Sequence, residues 1–167
     1  MIRSNLQLPR TPDGWLDSRS GEKDLSESGR PLVQMASSLD YDGATRQLTL
    51  ARSDGTIQRF PASNNPDSRS RGRWPNGTFD YERHTSHPED ALDSAYGSHG
   101  NYIFTVPGRQ DMGIPSGRVS HRVGQGRSGV NYPTFGCIRT TDEGTAAIRD
   151  AMSGDDPVTR ITVQNNH

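Results

Sequence analysis

Apolar and polar residues alternate over several short stretches of the chain. In residues 46–50 (Arg-Gln-Leu-Thr-Leu), Leu48 and Leu50 share one face, the period-two pattern of a half-buried strand. Residues 39–43 read as a short strand ending in the Asp42-Gly43 turn. Asp54-Gly55 lies between alternating runs, a hairpin signal, and residues 56–60 return. The pattern predicts a three-stranded antiparallel start. Trp74-Pro75-Asn76-Gly77 reads as a turn feeding a strand with Phe79 and Tyr81 on one face. Residues 101–106 form the clearest strand, with Tyr102, Phe104 and Val106 on one side and Ile103 and Thr105 on the other. A further strand is expected over 118–123, with His121 near its end, and a last one over 158–163.

One segment has helical period. Thr141 suits an N-cap, and Asp142 and Glu143 fall in the first turn, where the helix dipole favours acids. Ala147, Ile148, Ala151 and Met152 form the apolar stripe, and Ser153-Gly154 ends it. Polar loops are expected over 61–74, roughly 83–100 and 124–132; loops this long are functional or mobile. The second carries His84, His87 and His99, which read as solvated loop residues. Residues 1–35 read as an irregular polar arm, either packed on the domain through Trp15 or disordered, and residues 36–167 as the domain proper.

Composition sharpens this picture. Apolar content is 29%, with 18 glycines and 11 prolines, which argues for a loop-rich, mainly β domain. The net charge is −1 and the arginines are scattered among acids, so neither nucleic acid nor an anionic membrane surface is an expected partner. No apolar run approaches membrane-spanning length. A single cysteine excludes an internal disulfide and a Cys-based zinc site, and the five histidines are dispersed. No metal or cofactor is expected. Residues 124–129 resemble a phosphate loop only superficially, because no Lys-Ser/Thr pair follows.

The chemistry concentrates in Pro133-Thr134-Phe135-Gly136-Cys137-Ile138-Arg139. A thiol nucleophile needs a base, donors for the oxyanion it creates and a fixed backbone. Gly136 lets the chain turn closely, so that amides near Cys137 can face an oxyanion; a positive φ is its plainer role. The Thr134 hydroxyl can bond the loop or a substrate. Arg139 can take a carboxylate, clamp the loop or join a surface ion pair. The nearest histidine is His121, sixteen positions upstream. Alone, Cys137 would be a small buried apolar residue and His121 an ordinary strand histidine; their setting and offset promote both.

His121, a spacer of twelve residues and then Thr134-Phe135-Gly136-Cys137-Ile138-Arg139 resemble the catalytic signature of L,D-transpeptidases of the YkuD type. The Asp42-Gly43 and Asp54-Gly55 hairpins, the Pro75-Asn76-Gly77-Thr78-Phe79 turn, the helix after the cysteine and the closing strand extend the likeness over roughly residues 38–164. The resemblance implies a mainly β, sandwich-like domain with one short helix after the cysteine, acting on peptidoglycan stem peptides. In that family the cysteine attacks the carbonyl before a terminal D-alanine, a thioester forms, and D-alanine leaves. An amine acceptor then gives a cross-link, water gives carboxypeptidase action, and a free D-amino acid gives exchange. Carried over, Cys137 is the nucleophile, His121 the base, and Thr134, Gly136 and Arg139 the supporting oxyanion and substrate positions.

Two departures accompany it. Phe135 stands where many relatives have histidine. Residues 112–118 (Met-Gly-Ile-Pro-Ser-Gly-Arg) resemble a strand of relatives that carries histidine at the place of Pro115. On that alignment either His121 substitutes as base, with His99 a distant third, or the protein is a catalytically impaired peptidoglycan-binding or interaction module. Residues 1–30 show no signal-peptide core: such a segment was removed, or export takes another route, or the chain stays inside. With the resemblance, this suggests action in the periplasm or cell envelope as an interbacterial effector, with an immunity protein as partner in the producer.

Overall fold

The computed structural model describes residues 36–120 and 129–167. The expected arm over 1–35 and the candidate base His121 lie outside the described residues.

The two hairpin signals open the domain as expected. β1 (Ser37–Asp42) pairs antiparallel with β2 (Gln47–Ala51), and β2 pairs antiparallel with β3 (Ile57–Ser63). The turns are held by aspartates: Asp42 Oδ1 accepts the Ala44 N–H at 2.9 Å and Asp54 Oδ1 the Thr56 N–H at 2.8 Å. A second antiparallel set follows, β4 (Gly77–Thr85), β5 (Asn101–Phe104) and β6 (Met112–Ile114). β7 (Arg139–Thr140) is two residues long, and α1 (Asp142–Met152) leads to β8 (Val158–Gln164). β8 joins the two sets, parallel to β1 and antiparallel to β4. The sheet order is β6-β5-β4-β8-β1-β2-β3-β7.

The two ends of this sheet meet. The Ile138 N–H bonds Gly113 O at 3.1 Å and the Thr140 N–H bonds Pro115 O at 2.9 Å. The sheet is thus barrel-like, and closure satisfies edge groups that would otherwise stay unpaired. Leu39, Tyr41, Leu48, Leu50, Ile161 and Val163 fill the interior from alternate positions. Trp74 is fully buried and packs against Phe79 and Phe104, with ring centroids 6.1 and 6.3 Å away. α1 buries Ala147, Ile148 and Ala151, and its N-cap is Thr141, whose side chain accepts the Gly144 N–H at 3.1 Å. The mainly β domain with one helix after the cysteine is therefore the observed architecture.

Some boundaries differ from expectation. No strand forms over residues 118–120, the described part of the expected 118–123 strand. Arg118 has φ +55°, and its N–H bonds Ser94 O at 3.2 Å, so the chain bends there. A strand does form just upstream, at β6. β5 is buried at all four positions instead of alternating.

The β1 and β8 ends are tied by Asp156. Its carboxylate accepts from Arg52 (2.8 Å), the Ser53 N–H (3.2 Å) and the hydroxyls of Ser53 (2.9 Å) and Ser37 (3.2 Å). The Arg52 side-chain bond, then the Ser53 side chain, hold its pKa far below the ordinary 3.8. A depressed carboxylate stabilises the fold above its unfolded-state pKa and loses that contribution as pH falls towards the folded-state value. Asp156→Asn should therefore unfold at lower urea than the parent at pH 7, and the gap should shrink progressively below about pH 4. Urea midpoints measured from pH 2 to 7 check this.

Candidate active site

The cysteine segment is placed by hydrogen bonds on both flanks. The Thr134 N–H bonds Asn65 O at 2.9 Å, and Thr134 O accepts from the Asp67 N–H at 2.6 Å. The Thr134 hydroxyl accepts the Gly136 N–H at 3.1 Å and donates to Cys137 O at 2.8 Å. Thr134 therefore shapes the loop. Gly136 has φ +128°, and a Cβ there would meet Met112 Sδ at 3.0 Å, so both conformation and space call for glycine.

Behind the loop sits Asn64, a buried residue. Its amide donates to Gly136 O at 2.8 Å and Cys137 O at 3.0 Å. Its carbonyl oxygen accepts the Trp74 N–H at 2.7 Å and the Asn166 amide at 2.8 Å. Within a polar loop, Asn64-Asn65-Pro66 carries only a turn signal, so sequence reasoning missed this residue.

Three neighbours leading into β7 then face different ways. Ile138 points into the core, while Cys137 and Arg139 both line a cleft of about 680 Å³. Tyr96, Asp111, Pro115, Arg118 and Tyr132 line the same cleft. Cys137 is half-buried, and its Sγ lies 3.5 Å from Asp111 O. Burial pushes the thiol pKa up; the Gly113 N–H, the Arg139 charge and the Asn101 side chain pull against it, in that order. Burial wins, so these donors alone do not generate a thiolate. Asn101 is the second missed residue. It is buried, and its Oδ1 has no partner among the described residues. It packs so closely on Gly113 that a Cβ there would lie 2.1 Å from Oδ1. A polar residue opening an apolar strand was the available signal.

Arg139 is a buried clamp and not a surface ion-pair partner. It donates to Ala95 O at 2.8 Å and to Ser116 O, and its guanidinium lies 5.6 Å from the Tyr132 ring centre. No ion pair to a carboxylate forms among the described residues, and Nε has no partner there. Burial lowers its pKa to about 10, so it remains a cation at neutral pH.

Of the amides expected to face an oxyanion, those of Gly136 and Ile138 are already engaged, by Thr134 Oγ1 and Gly113 O. The Cys137 N–H bonds no described acceptor. None of the four described histidines lines the cleft. His99 lies 3.5 Å from Asp142 and 3.2 Å from Arg149, and His84 contacts His99 O at 2.6 Å. His87 is more engaged than a solvated loop residue: it stacks on Tyr96 and approaches Asp90 at 3.5 Å. Pro115 does line the cleft, so the position at which the resemblance places a histidine is at the site and cannot titrate. Phe135 is 66% exposed on the rim. Among the described residues no group of three or more His, Cys, Asp or Glu is placed to hold a metal, and no helix is long and apolar enough to cross a membrane.

No family model and no curated protein matches the sequence. Solved structures do match. Bd1075 of Bdellovibrio bacteriovorus is 14% identical with a TM-score of 0.55, over 77% of this chain and 48% of that one. The helical cell shape determining protein Pgp2 of Campylobacter jejuni (K307A mutant) is 13% identical with a TM-score of 0.52, over 79% and 48%. An L,D-transpeptidase of Xylanimonas cellulosilytica (residues 123–326) is 18% identical, with a looser TM-score of 0.49, over 84% and 66%. The chain therefore shares the fold of Bd1075 and Pgp2 and spans about half of their length.

Asn64→Ala should remove the partners of several buried groups at once. At about 1–3 kcal/mol per orphaned group, the loss should be on the order of 3 kcal/mol. Asn64→Asp should cost at least as much, because a carboxylate would face the two carbonyl oxygens. Urea unfolding of both variants at pH 7 tests this.

Proposed function

We propose that the protein is a cysteine-dependent acyltransferase acting on peptidoglycan stem peptides, with Cys137 as nucleophile. One observation carries the reading: Cys137 and Arg139 both line one cleft large enough for a peptide, with a backbone N–H and a buried amide at the sulfur. The likeness in the cysteine motif and the shared fold support it.

His121 is assigned as the base. The thiol is held protonated by burial, so attack requires a proton acceptor, and the described cleft supplies no imidazole. In the proposed reaction His121 takes the thiol proton as sulfur bonds the carbonyl carbon before D-alanine. The Cys137 N–H receives the developing oxyanion. The C–N bond breaks, the imidazolium returns the proton to the departing amine, and a thioester remains. An amine, water or a free D-amino acid then attacks the thioester and releases the thiol. Arg139 keeps the strand and the 95 and 116 segments in register, and its charge favours thiolate over thiol.

The proposed site of action is the periplasm or cell envelope, in an effector role against competing cells with an immunity protein in the producer. Expression with a periplasmic signal should arrest growth and expression without it should not; equal growth in both would remove the toxin role.

A second reading is a peptide-binding module without turnover, favoured by Pro115 at the cleft. Tetrapeptide muropeptides analysed by mass spectrometry separate the two. The enzyme should release D-alanine, Cys137→Ala should abolish release, and His121→Ala should lower it by about 10²–10⁴-fold. Binding without release selects the module. The pH profile of iodoacetamide alkylation provides a second check. Its midpoint should rise in His121→Ala, above the roughly 8.5 of a free thiol, because burial then acts without the imidazole.

A further inference from the structure

A second cavity, of about 390 Å³, shares no residue with the cysteine cleft. Asn64 and the 131–137 segment separate the two: Asn64 lines the second cavity while its amide holds the carbonyls of Gly136 and Cys137. Tyr41, Arg46, Arg73 and Asn131 are among its walls.

Tyr41, Arg46 and Arg73 supply donors to this cavity, beside the two-way polar groups of Ser63, Asn65, Asn131 and His167. Tyr41 is buried, and its oxygen already accepts the Asn64 N–H at 3.1 Å, so its own proton remains to donate. Burial raises the pKa of that hydroxyl, and Arg46 and Arg73 both lie close enough to pull it back down. Neither arginine forms an ion pair among the described residues. Arg46 donates to Asn131 Oδ1 and Arg73 to Asn64 O at 3.0 Å, both neutral acceptors, so among the described residues neither charge is paired and most of their N–H groups are unused. Arg46 is presented from a backbone at φ +58°, a conformation uncommon for a residue other than glycine. The acid on the adjoining turn, Asp42, is occupied by the Ala44 N–H (2.9 Å) and the Asn165 amide (3.2 Å) and pairs with neither arginine.

We infer that this cavity is an oxyanion site, built to take a phosphate or carboxylate group between Arg46 and Arg73 with the Tyr41 hydroxyl as a neutral donor. Two guanidinium forks around one phenol fit a compact, doubly accepting anion, and charge-assisted bonds of this type are about twice as strong as neutral ones. The site is independent of the reaction at Cys137.

The test is a titration of the full chain with inorganic phosphate and, separately, with succinate, at constant ionic strength in chloride. At ten times the dissociation constant, either anion should raise the melting temperature by about 4 °C. In ¹⁵N spectra, the amides of Ser63, Asn65 and Asn131 should shift. The better of the two anions distinguishes a phosphoryl ligand from a peptide carboxylate. Arg46→Ala and Arg73→Ala should each weaken binding by about tenfold or more, whereas Arg59→Ala, which removes an equal charge on β3 outside the cavity, should not. Equal weakening by Arg59→Ala, or no response beyond the chloride control, overturns the inference. The spectral map on the unaltered chain decides the matter should either arginine variant fold poorly.

Discussion

The geometry around the sulfur depends on one buried side-chain amide. Asn64 donates to two successive carbonyls of the cysteine loop and accepts from Trp74 and Asn166. A carboxamide has two donor hydrogens and one acceptor oxygen with two lone pairs, and here all are used. That leaves it a single orientation, and so a single direction for the carbonyls of Gly136 and Cys137. The same bonds join the loop to the core aromatic cluster and to the end of the described chain. A buried network satisfied this completely specifies one arrangement, and losing any member would strand the others in a low-dielectric interior.

Closure of the sheet is the second constraint. The bonds from Ile138 to Gly113 and from Thr140 to Pro115 place the cysteine segment beside β6. They bring Gly113 and Asn101, from two other strands, to the sulfur beside Arg139 of the cysteine segment itself. Their electrostatic effects oppose burial without overcoming it. The thiol is therefore accessible yet still in need of a base. With Pro115 at the cleft, the describable part of the site offers donors and a cation but no imidazole. The proposed enzyme and the proposed binding module differ in that one missing element.

Sharing a fold with Bd1075 and Pgp2 limits the architecture and says nothing further about chemistry, because one scaffold carries many sites. Their length also differs, since this chain matches about half of each. Acyl transfer is proposed instead from the order of side chains leading into β7, with sulfur and guanidinium lining the cleft and isoleucine buried in the core. The oxyanion cavity behind the loop follows from the same arrangement: Asn64 serves the cysteine with its side chain and forms part of the other cavity's wall.

The sequence by itself determined the elements whose signals are local. Asp-Gly turns, period-two alternation around Leu48 and Leu50, and the Thr141 cap with its acidic first turn depend on neighbours within a few residues, and all formed as read. The glycine before Cys137 was legible for the same reason. Only the tertiary structure decided the rest. The chain bends at Arg118, whose N–H bonds Ser94, far from it in sequence, so no strand forms over the described residues 118–120. Arg139 could take a carboxylate, clamp the loop or join a surface ion pair, and only the fold shows it buried and bonded to the carbonyls of Ala95 and Ser116. Asn64 and Asn101 read as a loop residue and a strand start, because nothing adjacent to them reveals that one will hold the cysteine loop and the other will reach its sulfur. Long-range hydrogen bonds and burial have no local signature, and this site is assembled from both.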